Sequence, residues 1–135
     1  MAKLYRTREG AVSAVNTKSQ LSTVGSETAP GPLLVPTSVR KITGMIVAVA
    51  CDMAVAADGA YIIRLEGPGL PEGPEVITAG ASGVQVATGG SYAQRALRIP
   101  LDIPVTPANE ILIFAENTGE DTGTTTIGVT LEFGS

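Results

Sequence analysis

Near the end of the chain, Asp121-Thr122-Gly123 spells the tripeptide on which aspartic proteolysis is built, where two carboxylates held together share one proton. That chemistry needs the aspartate at the end of an apolar strand, in a protected site. Here the preceding residues are Asn117-Thr-Gly-Glu120, a polar run, and Glu120 places a second carboxylate directly beside it. Asn, Asp, Gly and Thr are turn formers for backbone reasons, so the tripeptide reads as a hairpin corner. Glu116, Asn117, Glu120 and Asp121 also supply hard oxygen ligands of the kind calcium takes. Their spacing does not match an EF-hand loop, and the reading is a solvated acidic loop with no metal.

The other chemistry-bearing residues thin out quickly. Histidine is absent, which removes Ser-His-Asp and Cys-His catalysis, imidazole general bases and zinc sites that need imidazole. The one cysteine, Cys51, sits inside the apolar run Met45 to Cys51 and reads as a small buried hydrophobe. No intramolecular disulfide is available to it. Gly67-Pro-Gly69 and Gly80-Ala-Ser-Gly83 lack the spacing of a phosphate cradle and open no helix. Ser82 has no base to activate it. The expectation is a chain with no catalytic, cofactor-binding or metal-binding residues, and not an enzyme.

Charge is unevenly placed. Residues 1–41 carry six cations against two acids, and the remainder carries three cations against eleven acids, for a net charge of −4. Lys3, Arg6, Arg8 and Lys18 are of the type that touches nucleic-acid phosphates. A pI of about 4.7 and a single aromatic among them, Tyr5, argue against a dedicated binder. They are expected to meet acidic neighbours, including the acidic body of another copy.

At 135 residues the chain is expected to be one folded body, with 44% hydrophobic residues and a mean hydropathy of +0.26. No run reaches the roughly 18 apolar residues of a membrane helix, and no apolar segment follows the early charges as in a secretory signal. Sixteen glycines and nine prolines break any long helical pattern, while period-2 alternation recurs. Residues 15–24 alternate with two rather polar faces, as in an edge strand or an exchanged arm. Ser26–Pro32 is a linker by composition. Leu33–Cys51 reads as a short strand and a long central one, apolar on both faces from Met45 to Cys51 as in a strand covered on both sides, with Gly44 marking a bulge. Asp58-Gly59 is a hairpin signal, and Ala60–Glu66 a strand with Tyr61, Ile63 and Leu65 inward. Val76–Thr78 and Val84–Ala87 read as short strands around the AGASG run, with a loop at 88–94. Arg95–Val105 alternates with Leu97, Ile99, Leu101 and Ile103 inward, and Pro100 and Pro104 place it at an edge. Ile111–Glu116 and Thr124–Phe133 complete the set. In the last strand Ile127, Val129, Leu131 and Phe133 point in, and Thr126, Thr130 and Glu132 point out.

About seven to nine short strands with turns at regular intervals predict an all-β antiparallel sandwich, jelly-roll-like. An extended N-terminal arm with the first strand over 1–25 and a β-sandwich body over 26–135 are expected. A short basic tail (MAKLYRTREG), a Thr/Ser-rich first strand, a Pro/Gly linker and a β-body ending in ILIFAENTG and TTTIGVTLEF resemble, in pattern, small structural proteins of viruses and bacteriophages. Single jelly-roll capsid proteins and head-decoration proteins are the kinds meant. The resemblance implies many copies in a symmetric shell, contacts to other capsid proteins, synthesis in a host cytoplasm, residence in the virion, and no membrane. The composition leads to the same class: apolar β-surface left over by a lone subunit is buried against identical copies, with the arm helping. Two alternatives stay open, a filament subunit joined by strand donation from residues 12–24, and a binding module using loops 67–75 and 80–94.

Overall fold

The computed structural model describes residues 3–12, 18–23, 31–52, 57–83, 91–117 and 124–135. The strands are β1 (Leu4–Val12), β2 (Lys18–Gln20), β3 (Ser22–Thr23), β4 (Leu33–Leu34), β5 (Lys41–Asp52), β6 (Ala57–Glu66), β7 (Glu75–Gly83), β8 (Ser91–Pro104), β9 (Glu110–Asn117) and β10 (Thr124–Gly134). All pair antiparallel, in a first sheet ordered β3-β1-β10-β5-β8 and a second ordered β2-β9-β6-β7, with β4 also on β9. No helix occurs among the described residues.

The pairs are nested. β1 joins β10, β2 joins β9, β5 joins β8 and β6 joins β7, as in one long ribbon folded at its middle; β10 on β5 and β9 on β6 then close the two sheets. That is the pairing of a jelly roll, as the alternation and turn spacing anticipated. The core lies between the sheets. Ile127, Val129, Leu131 and Phe133 of β10 meet Ile63 and Leu65 of β6, Ile111 and Ile113 of β9, and Ile42 and Met45 of β5 in one buried apolar cluster. Period-2 placement of apolar residues selects this face most plainly on β6, with Ile63 and Leu65, and on β10.

One end of the sandwich is stitched by backbone. Gly69 N–H donates to the Glu110 carbonyl (2.8 Å), Thr106 N–H to that of Gly69 (2.9 Å), Val105 N–H to that of Arg40 (3.0 Å), and Val35 N–H to that of Asn109 (2.9 Å). Gly67 sits at φ +115°, and a Cβ there would lie 2.7 Å from the Glu110 carbonyl oxygen, so both its conformation and the close approach demand glycine. Leu70 of the same loop is buried.

Several sequence expectations change. Residues 4–12 do not stand off the body as an arm: β1 pairs residue for residue with β10, from Leu4 opposite Phe133 to Val12 opposite Thr125. The reason is that β10 would otherwise present an unpaired ladder edge. The alternating 15–24 segment is not one strand. Lys18–Gln20 pairs with β9 in one sheet, Ser22–Thr23 pairs with β1 in the other, and Leu21 is fully buried at the crossing. Asp58-Gly59 lies inside β6, opposite Ser82 and Ala81, because β6 and β7 continue past the expected turn. Gly80–Gly83 is therefore ladder, and Ser91–Gln94, expected as loop, pairs with β5. The expected strand Val84–Ala87 lies outside the described residues. Small residues defeated the alternation signal in all three places.

The long central strand and the proline-bearing edge strand take their expected places, β5 between β10 and β8 and β8 at the end of the first sheet, but Leu97 of β8, expected inward, is 49% exposed at that edge. The outer face of β5 is not covered by a second layer, however, and Ala48 there is exposed.

Candidate interaction surface

Glu132 is the residue around which the outer face of the first sheet is organised. Leu131 and Phe133 point into the core, so Glu132 points the other way, yet it is only 2% exposed. Three side chains converge on it. From β1's side, Lys3 Nζ reaches Oε1 at 2.9 Å. From β8, Arg98 donates through Nη2 to Oε1 (2.8 Å) and through Nε to Oε2 (3.2 Å). From β5, Thr43 Oγ1 donates to Oε1 at 2.7 Å.

The local backbone makes this reach feasible. Gly44 pairs with Glu132 and Ile42 with Phe133, so Thr43 is the extra residue of a β-bulge, which turns its hydroxyl toward the carboxylate. Arg98 is two strands from Glu132 and must cross β5. It crosses at Gly44, where a Cβ would stand 2.8 Å from Arg98 Nη2. Arg98 Nη2 also lies 3.4 Å from the Thr43 carbonyl. A glycine and a one-residue bulge together let β8 hold a carboxylate on β10.

These donors all favour the charged form. The Arg98 hydrogen bonds first, then those from Thr43 and Lys3, hold the Glu132 carboxyl far below the usual carboxylate range, against the opposing effect of burial. A carboxylate so held neither gives nor takes a proton near neutral pH. It is a clamp across β8, β5 and β10 and the residue that leads into β1, not an acid or a base.

Around the clamp the outer face is open. Tyr5 opposes Glu132 on β1 and is 48% exposed. Thr7 and Thr130 share a hydroxyl hydrogen bond (2.8 Å), and a Cβ at Gly128 would touch nothing within 4 Å. On the outer face of the second sheet, Val76 is 55% exposed beside Arg64, which pairs with Glu116 at 3.3 Å. Leu112 and Phe114 are half-buried there.

The sequence-expected site residues do not converge. Glu120 and the Asp121-Thr122-Gly123 tripeptide lie outside the described residues, while Glu116 is engaged by Arg64. The Cys51 side chain is likewise outside them. Of the basic residues, Lys3 is on Glu132, Arg6 Nη1 donates to the Tyr5 carbonyl (2.9 Å), and Arg8 Nε donates to the Gly31 carbonyl (2.8 Å). Loop 67–75 is fixed at its base by the hydrogen bonds of Gly69. No group of three metal-ligating acids, cysteines or histidines occurs among the described residues. The Glu132 clamp escaped sequence reading because its parts are scattered over the whole chain. Only Gly44, legible as a bulge, and one acid in an alternating strand hinted at it.

Among the described residues no helix is long and apolar enough to cross a membrane. No family model matches the chain, and no curated protein matches it in sequence.

Proposed function

We propose that this chain is a self-assembling structural subunit, one that builds a virion shell or decorates one. The observation that supports the reading is the pair of Tyr5 and Val76, about half-exposed on opposite outer faces of a jelly roll. Single exposed apolar residues are ordinary. These two share those faces with further apolar and small residues, Ile46, Ala48 and Gly128 on one and Leu112 and Phe114 on the other, and exposed apolar surface of that kind is used at interfaces.

Jelly rolls serve capsid, lectin and cupin roles. Imidazole-ligated metal, common chemistry for a catalytic barrel, has no histidine to draw on here, and sugar stacking has few aromatics, 4% of residues with no Trp. A shell component needs neither. The filament alternative fits less well, since strand donation from 12–24 would have to pull the fully buried Leu21 out of its own core.

Light scattering and negative-stain imaging of concentrated purified protein test the proposal. Discrete oligomers, rings or shells are expected. A monomer that persists at millimolar concentration would overturn it.

A further inference from the structure

We propose that Arg6 and Arg8 close the outer edge of β1 to strand addition, so that another copy of the chain cannot extend the first sheet there. The inference goes beyond the assembly reading above and stands or falls without it.

β1 is the last long strand on its side of the first sheet, and among the described residues β3 reaches it only at Arg8 and Glu9. Along an antiparallel strand, successive residues aim their N–H and C=O at alternate neighbours. Two contacts fix the phase. Thr43 Oγ1 of β5 lies 3.3 Å from the Glu132 carbonyl oxygen, and Arg40 N–H donates to the Gly134 carbonyl at 2.9 Å. Glu132 and Thr130, two residues apart, therefore aim their backbone groups at β5. Tyr5 lies opposite Glu132 and Thr7 opposite Thr130, so the backbone groups of Tyr5 and Thr7 point away from β10, to the outer side of β1. Groups so placed are a template for another strand.

Two arginines occupy that side. Arg6 and Arg8 pair with the buried Leu131 and Val129, which puts them on the core-facing side of β1. Each bends back onto the carbonyl of the residue before it: Arg6 Nη1 donates to Tyr5 at 2.9 Å, and Arg8 Nη1 to Thr7 at 2.8 Å. These are the two carbonyls an incoming strand would need. Arg8 is pinned further, since its Nη2 lies 3.3 Å from the Pro32 carbonyl and its Nε binds that of Gly31. An added strand would displace both guanidinium groups and lay its own side chains beside two inward cations. Inward charge is one of the ways sheet edges are kept from pairing. The far end of the same sheet is blunted by other means: β8 carries Pro100 and Pro104, which have no N–H to offer.

The test is Arg6→Thr in the full chain, alone and together with Arg8→Thr, with Arg40→Thr as the control that removes a cation elsewhere. Arg6 and Arg40 are both exposed, and threonine suits a strand. The chain already carries a net charge of −4, so losing a cation by itself raises the repulsion between copies. Sedimentation is read over a range of concentrations, with amide hydrogen exchange at Tyr5 and Thr7. In the unaltered chain and in Arg40→Thr, these two amides are expected to exchange at a rate independent of concentration, whether or not the outer faces assemble. In Arg6→Thr they are expected to slow by roughly tenfold or more as concentration rises, alongside new heavier species. Concentration-dependent protection of Tyr5 and Thr7 in the unaltered chain would show that the edge is open, and would overturn the proposal. So would its absence from Arg6→Thr, or an equal gain in Arg40→Thr, which would trace the effect to net charge. Thermal melts check that the variants fold; should the double variant not fold for want of the Gly31 and Pro32 contacts, Arg6→Thr alone decides.

Discussion

Glu132 shows how a charged side chain becomes a structural part. A buried carboxylate is costly unless its oxygens are satisfied, and here an arginine of β8, a lysine just before β1 and a threonine hydroxyl of β5 do so. Because the folded state holds this carboxyl well below its unfolded value, its contribution to stability is fully present above the ordinary carboxylate range. It is lost as pH falls through that range toward the depressed folded value. Glu132→Gln should therefore lower the melting temperature at pH 7, and the gap from the unaltered protein should narrow as the buffer is taken from pH 5 to pH 2. A pH series of thermal melts decides it. A gap that stays constant would mean the residue acts through shape alone. Lys41 and Asp102, paired at 3.3 Å but largely exposed, are the contrasting case, an ion pair of little consequence.

At the scale of elements, the segment 18–23 is the least conventional piece. It supplies β2 to one sheet and β3 to the other, with Leu21 N–H donating to the Ile113 carbonyl at 2.8 Å between them. Leu21→Ala removes a fully buried side chain at this crossing and should cost about 2–5 kcal/mol, read from the denaturant midpoint. A loss below about 1 kcal/mol would show that the crossing is not part of the core. The sequence revealed strands where branched apolar residues alternated, as in Ile127–Phe133, since burial of one face dictates that spacing, and where they ran on unbroken over a strand's length, as in Ile111–Ala115. It was silent at 79–83, where Gly, Ala and Ser fill both faces, and at 91–94, where Ser and Ala take alternate places, because such residues carry no inside-outside signal. The segment 4–12 was misjudged as an arm for a related reason: its apolar residues are few, and its place is set by a partner strand far along the chain. The clamp was illegible on the same ground, as Lys3 and Glu132 are 129 residues apart.

For the whole molecule, assembly and stability are coupled. If copies bind one another when folded and not when unfolded, mass action raises the unfolding temperature with protein concentration. Melts taken over a hundredfold range should rise steadily, and a concentration-independent midpoint would speak against association. The nested ribbon has its own effect on time. β10 sits between β1 and β5, so the first sheet has no continuous centre until the final strand arrives. Contacts this distant along the chain make folding slow. While the chain is still being made, β5 can pair with β8 and β6 with β7, but β1 and β5 gain their shared neighbour only once β10 has been added.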